Sequence, residues 1–569
     1  MTTDAAIHSS LWGENALPLR PASQVMKLER LGAYHQSRLS FMRTLVRRIF
    51  RERWKIEPSV FNLDNDGYGT VVYEVNAPHG LFSFVLFSDY LSPEERNDRV
   101  IATKWDLTMA LVEGKVDQTY IEELRQNVPK QEAGRVDARV FVLSRANRSA
   151  RNFDYVVNQL SSGQQPEISK IAEVGYLYRT TAVYGSGKLG MADWEKVREK
   201  HKDFARPFAG EMFVCLMLRN FSLLQVEHIA RHKNPEKFTK MKPEIKRYFG
   251  IGNSTGLGMA PYLVNHPLLI NRWIEMRELA LARVRVLGGI SEQIRTQLNI
   301  FIDRSTQHTQ ETITEDQWQT NNNQLVIKDM AALKNCIEKG FTSWDELIEF
   351  SEQECSLQGQ EMLVSCMLEL YPELVDELED FHSAEEFLDL DPLMPTQTLK
   401  KIIEKRYDWA LAIDFDADGA RETYWYRSEE KMEPRLGSVA DIEGKKKQMA
   451  LGVGYAVRKC YNQLSNYIEF HPEHTTARFM VAHPKLRGIV RRIQGMDRCV
   501  YGDIQANLLD REVLPMHLLR SKLAFFGVSK FDPRSRLWVR NTMFQGAPLL
   551  EEIGESFSDD WFMPLAPKQ

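Results

Sequence analysis

The sequence has 569 residues, enough for about two to four domains with a large core. Its 43% hydrophobic and 27% charged residues exclude a disordered or fibrous chain, and a net charge of −5 argues against a generally basic protein. No apolar run approaches the roughly 18 residues of a membrane span, and the start lacks the pattern of a secretory signal. The six cysteines include no Cys-x-x-Cys pair. We therefore expect no membrane span, disulfide framework or zinc ribbon, and predict a cytoplasmic protein.

Residues 1–150 are predicted to form an α+β domain. The apolar spacing of residues 26–54 predicts one long helix with an arginine-rich face. Residues 70–75, 81–87 and 100–111 are rich in β-branched and apolar side chains and predict strands, the first of them after an Asp-Gly turn. The arginines of the helix are Arg30, Arg38, Arg43, Arg47, Arg48, Arg51 and Arg53.

Residues 151–339 are predicted to form a helical domain that carries two glycine-rich loops. Helices are expected at residues 209–218, 223–232 and 268–287 because apolar side chains recur at helical spacing. The first loop, Tyr184–Gly190, would present the ammonium group of Lys188.

The second loop begins at Gly250 and has four glycines in nine residues. Glycine lets backbone amides approach a ligand, and successive amides can bind an anion. The stretch lacks the Lys-Ser/Thr ending of a P-loop, so a plain structural turn is the alternative interpretation. The predicted anion-binding residues are Gly252, Asn253, Ser254, Thr255 and Gly256.

Residues 340–399 contain sixteen Asp or Glu residues and no Lys or Arg. The apolar residues of this segment recur at helical spacing, which predicts an acidic helical insertion. Such an insertion would either dock on a basic surface or serve as a solvated surface.

Residues 400–569 are predicted to be α+β and mostly helical, with helices near 398–407, 448–469, 484–493 and 514–526. The order of elements found after residue 54 recurs here. It consists of a predicted strand at 409–413, an Asp-rich turn and an aromatic strand at 423–426. A diverged internal duplication would explain the repeat, and so would two independent hairpins. The predicted fold class is thus mainly α with smaller α+β parts, in several domains.

Two Asp-rich turns share the opening spacing of a calcium-binding loop. They begin at Asn62 and Asp414, but the twelfth positions are Tyr73 and Trp425 rather than the required Glu. Asp side chains also stabilise turns by binding their own backbone. Both segments are therefore interpreted as hairpin turns.

Histidines and arginines supply the remaining candidates. His228 and His232 are four residues apart, as in metal-binding helices, but no third ligand can be assigned. His471, His474 and His483 have the residue types of a divalent metal site and are candidates for one. Arg487 and Arg491 follow one helical turn apart and suit bidentate binding of a carboxylate or phosphate.

These features predict an enzyme that acts on a small anionic metabolite. The glycine-rich loops, Arg487 and Arg491 would bind the anion, while His471, His474 and Lys188 would carry out catalysis. The alternative is a nucleic-acid-associated or regulatory protein that uses basic helices, and either function is compatible with a homo-oligomer. The sequence assigns no reaction and no cofactor.

Overall fold

The computed structural model describes residues 18–92, 94–95, 104–130, 137–180, 200–206, 208–256, 267–381, 390–414, 423–427, 434–438, 448–450, 453–505, 520, 524–535, 538–555 and 557–568. The chain divides into two compact units, each built from three separate segments. The first unit comprises Met1–Ser37, Leu257–Thr306 and Asn321–Lys522, and the second comprises Arg38–Gly256, Gln307–Thr320 and Leu523–Gln569. This division differs from the four consecutive segments expected from sequence, and whether those segments fold separately stays a prediction.

The described strands form two sheets. A sheet of nine strands in the order β1-β2-β3-β4-β5-β6-β7-β12-β11 belongs to the second unit, and a sheet of three in the order β10-β8-β9 belongs to the first. In the larger sheet only β6 and β7 pair in parallel. The strands are β1 (Lys55–Leu63), β2 (Gly69–Ala77), β3 (Gly80–Ser88), β4 (Leu107–Glu113), β5 (Val140–Arg148), β6 (Tyr176–Thr180), β7 (Gly250–Gly256), β8 (Thr423–Arg427), β9 (Pro434–Ser438), β10 (Gln448–Ala450), β11 (Lys530–Ser535) and β12 (Trp538–Met543).

The α-helices lie in both units, and none of those described is long and apolar enough to cross a lipid bilayer. They are α1 (Ala22–Val25), α2 (Leu28–Leu31), α3 (Phe41–Arg51), α4 (Gln118–Asn127), α5 (Phe153–Ser161), α6 (Ile168–Ala172), α7 (Ala209–Lys233), α8 (Pro243–Tyr248), α9 (Pro267–Arg285), α10 (Glu292–Gln310), α11 (Gln317–Lys339), α12 (Trp344–Glu354), α13 (Leu357–Leu370), α14 (Pro372–Asp376), α15 (Thr396–Arg406), α16 (Asp408–Leu411), α17 (Val453–Phe470), α18 (Thr476–Ala482), α19 (Arg487–Met496) and α20 (Leu550–Glu555).

The central strands of the large sheet are covered on both faces. Val85, Ala110 and Leu143 pack with Leu124 of α4 on one face. Side chains alternate between the faces of a strand, so Val142 points the other way. A Cβ added to Gly210 of α7 would lie 2.9 Å from Val142 Cγ2, which places α7 closely against that second face. Burial on both faces explains the almost uninterrupted apolar sequences of β3 and β4.

The predicted fold class is wrong. Helices make up 55% of the structure, but the nine-stranded mixed sheet is too large for a mainly α protein. The segment 151–339, which we expected to be helical, contributes β6 and β7 to the centre of that sheet. The strands 70–75 and 81–87 and the helix 268–287 are confirmed as β2, β3 and α9.

Of the two explanations offered for the repeated order of elements, the internal duplication is also wrong. The residues predicted as its strand, 409–413, overlap α16 and continue into non-strand backbone. The aromatic strand β8 lies in the separate three-stranded sheet, whereas β1 and β2 belong to the nine-stranded sheet. The Asp-rich turn after Asp414 lies outside the described residues.

The arginine-rich segment 26–54 is not one helix. It forms α2 and α3, which are separated by non-helical residues 32–40. Arg38, Arg43 and Arg47 are at most 8% exposed and all lie within 3.0 Å of the Asp559 carboxylate. Burial alone would raise the pKa of Asp559, but the three arginines hold it well below its usual range. These side chains are internal ion-pair partners, so they do not form a basic surface for nucleic acid.

One acidic residue of the segment 340–399 is at the centre of the first unit. Glu361 of α13 is fully buried and contacts Arg20, Arg30 and Arg277 at 2.8, 2.7 and 2.6 Å. Deleting the segment would remove the carboxylate that these arginines share. That the rest of the chain folds without this segment stays a prediction.

Candidate functional site

The predicted glycine-rich loop is a strand. Residues 250–256 form β7, which lies between β6 and β12, so the expected loop conformation is wrong. Gly252, Asn253, Ser254, Thr255 and Gly256 are paired with Thr542, Asn541, Arg540, Val539 and Trp538.

Two glycines of β7 are required by close packing. A Cβ at Gly250 would lie 2.2 Å from the carbonyl oxygen of Met543, and one at Gly252 would lie 2.3 Å from the ring of Tyr176. Both separations are far below van der Waals contact. The glycine density therefore reflects packing within the sheet, and anion binding by this segment stays a prediction. Lys188, the other predicted residue of the glycine-rich loops, lies outside the described residues.

The predicted histidine site is partly assembled in the first unit. The rings of His471 and His474 stack with centroids 4.6 Å apart and planes only 5° apart. Tyr467 lies beside them, with its hydroxyl 2.8 Å from His474 Nδ1, and the ring of His483 is 5.9 Å from the Tyr467 ring. Among the described residues no group of three His, Cys, Asp or Glu side chains is arranged to hold a metal ion.

The arginines and glycines of the predicted site belong to different units. Arg487 and Arg491 lie on α19 of the first unit, which also contains the three histidines, whereas Gly252 and Gly256 lie in the second. Arg487 is exposed and Arg491 is half-buried. Their convergence on one ligand stays a prediction.

The second unit contains a cleft of about 620 Å³ at one end of the large sheet. It is formed by the β1–β2 turn, the end of β5, the helix α5 and the C-terminal end of α7. Its lining residues are Asn65, Asp66, Tyr68, Arg148, Phe153, Asp154, Val157, Asn158, Ile229, His232 and Lys233.

The β1–β2 turn is held rigidly at the cleft. The Asp64 carboxylate accepts the amides of Asp66 and Tyr68 at 3.0 and 2.8 Å, which confirms the hairpin-turn interpretation. Gly67 has φ +81°, and a Cβ there would lie 2.8 Å from Ile229 Cδ1, so both backbone and packing require glycine.

The end of α7 contacts the same turn. His228 Nε2 lies 2.8 Å from the carbonyl oxygen of Asp64, and His232 Nδ1 lies 2.9 Å from that of His228. The predicted pairing of the two histidines on one helix face is therefore confirmed, with a ring centroid distance of 4.3 Å. Each ring uses one nitrogen to donate to a carbonyl oxygen.

Arg148 is the buried cation of the cleft. It is 8% exposed, and its guanidinium carbon lies 4.2 Å from the ring centroid of Phe153 and 5.1 Å from that of Tyr68. The guanidinium is thus held between aromatic faces. Burial alone would lower the pKa of Arg148, but Tyr178, Tyr68 and Asp106 raise it above its usual value. The group is therefore fully charged.

A chain of buried hydrogen bonds positions this arginine. Arg148 Nε donates to the Tyr178 hydroxyl at 3.1 Å, and that hydroxyl donates to Gln225 Oε1 at 2.8 Å. Gln225 Nε2 donates in turn to the carbonyl oxygen of Gly67 at 2.8 Å and to Ser88 Oγ at 3.0 Å. This series of hydrogen bonds begins at Arg148 in the cleft and ends at Gly67 of the β1–β2 turn, which also lines the cleft.

The guanidinium of Arg148 makes one hydrogen bond to the described residues, from Nε, and leaves its other donors over. Its Nη2 atom is buried and has no hydrogen-bond partner within the described part of the chain. Most buried donors in proteins are paired, so such an atom calls for an explanation. A bound acceptor in the adjacent cleft would supply one.

Sequence reasoning did not find Arg148, Tyr178, Gln225 or Lys233. The one signal in the sequence concerns Arg148, a basic residue at the last position of β5 just before a helix. In comparisons with protein-family models, curated proteins and solved structures, no match to this chain was found.

Proposed function

We propose that the cleft of the second unit binds a small molecule through an anionic group, a carboxylate or a phosphate, that accepts from Arg148. The observation that carries this proposal is the unpartnered Nη2 of a buried, charged guanidinium in the wall of a cavity. Arginine presents its donors in a planar arrangement that matches both anions.

The rest of the cleft supports a small organic ligand. Its volume lies within the range of roughly 300–1,000 Å³ that is usual for ligand sites. Lys233 adds a second cation, and its ammonium donates to Asn158 Oδ1 at 2.6 Å. Val157 and Ile229 give the lining an aliphatic part.

An enzyme acting on the bound metabolite is the wider form of this proposal. His232 lines the cleft, and because its Nδ1 faces a carbonyl oxygen the proton is held there in the neutral ring. The Nε2 atom is then the nitrogen available as a general base.

A cytoplasmic location agrees with six cysteines that are all unpaired thiols.

Isothermal titration with three matched compounds tests the proposal. 4-Methylpentanoate, 3-methylbutyl phosphate and 3-methylbutylamine share an aliphatic group and differ in the polar end. We expect binding of one or both anions and none of the amine, and the stronger anion identifies the group. Arg148→Met should weaken that binding at least about ten-fold, since a charged hydrogen-bonded contact contributes roughly 1.5–3 kcal/mol.

Arg151→Met is the matched control. Arg151 is exposed, lies three residues away and pairs only loosely with Glu173, at 3.4 Å. The substitution Arg151→Met removes the same charge as Arg148→Met without changing the lining of the cleft. Equal losses in the two variants, or binding of the amine alone, would refute the proposal.

A further inference from the structure

The cleft has carboxylates as well as cations. Asp66 and Asp154 line it together with Arg148 and Lys233. Both carboxylate residues are exposed, and within the described residues neither makes an ion pair. A ligand that entered the cleft would therefore meet two acceptor groups that lack a cationic partner.

Besides these four charged groups of the lining, a fifth, Asp106, lies next to Arg148. Asp106 is fully buried, accepts the backbone amide of Arg148 at 2.9 Å and has an oxygen 4.0 Å from Arg148 Nε. The positive charge of Arg148 is thus already offset, although its Nη2 remains unpartnered. These five groups comprise three carboxylates, one guanidinium and one ammonium group, so a simple anion would be repelled as well as bound.

A metal ion is not supported as the missing cation. No group of three His, Cys, Asp or Glu side chains in the described residues is arranged to bind one. An ammonium group needs fewer partners, since it donates up to three hydrogen bonds and is satisfied by carboxylates and amides. Asn65, which also lines the cleft, adds an amide oxygen to the two carboxylates, whereas the amide oxygen of Asn158 already accepts from Lys233.

We infer that the ligand is a zwitterion of the α-amino-acid type, with its carboxylate on Arg148 and its ammonium facing Asp66 and Asp154. This inference rests on the proposed function, because it assigns the anionic group to Arg148. It goes further in stating that a ligand with both charges binds better than the same molecule with either charge alone. The aliphatic residues Val157 and Ile229 then face the ligand side chain.

The test uses L-leucine, 4-methylpentanoate and 3-methylbutylamine, which are the amino acid and its deaminated and decarboxylated forms. Isothermal titration of the full chain should show leucine binding at least ten-fold more tightly than either of the others. The double variant Asp66→Asn/Asp154→Asn should weaken leucine binding at least ten-fold. The same variant should leave binding of 4-methylpentanoate unchanged or strengthen it, because a repulsion has been removed.

Glu122→Gln is the control, since Glu122 is exposed on α4 and does not line the cleft. Leucine binding should not change in it. Arg148-dependent binding of 4-methylpentanoate with no preference for leucine would overturn the inference and leave the proposed function intact. Failure of leucine and 4-methylpentanoate alike to bind would overturn this inference, and failure of the phosphate as well would overturn both.

Discussion

Two buried arginines of the second unit, Arg219 and Arg148, differ in how fully their donors are used. Arg219 lies in the middle of α7 and is 2% exposed. It donates to four carbonyl oxygens, those of Arg247, Phe249, Ala547 and Pro548, at 2.7–3.2 Å. Arg148 is nearly as buried, yet its Nη2 has no partner among the described residues and it borders a cavity.

The difference separates a structural arginine from a candidate binding residue. Arg219 links the segment before β7 to residues 547–548, and each of its three guanidinium nitrogens donates to a backbone carbonyl oxygen. Arg148 is held in position by Tyr178 and by two aromatic rings, but its Nη2 has no hydrogen-bond partner among the described residues. The buried fraction does not distinguish the two arginines, whereas the number of their donors that have hydrogen-bond partners does.

The largest effect is expected from Arg219→Met, which leaves four buried carbonyl oxygens without their donor. We expect a loss of about 3–5 kcal/mol in the free energy of unfolding, because a buried polar group left without its partner costs roughly 1–3 kcal/mol. Arg148→Met should cost only about 1–2 kcal/mol. Urea unfolding of both variants measures this, and equal losses would remove the distinction between the two arginines.

Glu211 extends the comparison, because it is a buried ionisable group near the start of the same helix. Burial raises the pKa of Glu211 from 4.5 to about 7. Because the pKa is higher in the folded state than in the unfolded state, the folded protein binds this proton more tightly. The stability that the proton contributes is complete below pH 4.5 and is lost as the pH rises through 7. Glu211→Gln should therefore stabilise the protein by about 2 kcal/mol more at pH 8 than at pH 5. Urea midpoints that shift equally at both values would show that the carboxyl is not buried as described.

Tyr178→Phe examines how Arg148 is positioned. The change removes the hydroxyl between Arg148 Nε and Gln225 Oε1, and should cost about 1–2 kcal/mol of stability. Because the guanidinium loses a partner that fixes it, binding of the preferred anion should weaken about two- to five-fold. Titration beside a thermal melt separates the two effects. Wild-type affinity in a destabilised variant would mean that the aromatic rings alone hold Arg148.

The smallest effect is expected from His474→Ala in the first unit. The half-buried His474 contacts the Tyr467 hydroxyl at 2.8 Å, and water can replace that contact. We expect a loss of about 0.5–1 kcal/mol and no change in ligand affinity. A ten-fold loss of affinity with a normal melt would instead favour the histidine site predicted from the sequence.

Local sequence patterns predicted those elements whose residue types or spacing are typical of the structure they form. The strands β2 and β3 were found because they are rich in β-branched and apolar residues, and the helix α9 because its apolar residues recur at helical spacing. The strand β7 was missed because glycine normally weakens strands. Its conformation is explained only by Tyr176 and Met543, which are distant in sequence.

The cleft could not be predicted for the same reason. Arg148 matters because of Tyr68, Phe153 and Tyr178, and the β1–β2 turn faces α7 only in the folded sheet. The predicted residues clustered instead where the sequence is locally unusual. The structure places one such cluster in the closely packed strand β7 and another in an aromatic group around Tyr467, and ligand binding by either stays a prediction.

The position of β7 between β6 and β12 has a consequence for biosynthesis. On the ribosome β7 emerges soon after β6, but β12 is made only after the whole of residues 257–537 has been translated. At roughly 5–20 residues per second, one edge of β7 would remain without its partner strand for some tens of seconds. An unpaired edge of this kind readily associates with other chains, so nascent forms of this protein should depend on chaperones until the C-terminal strands emerge.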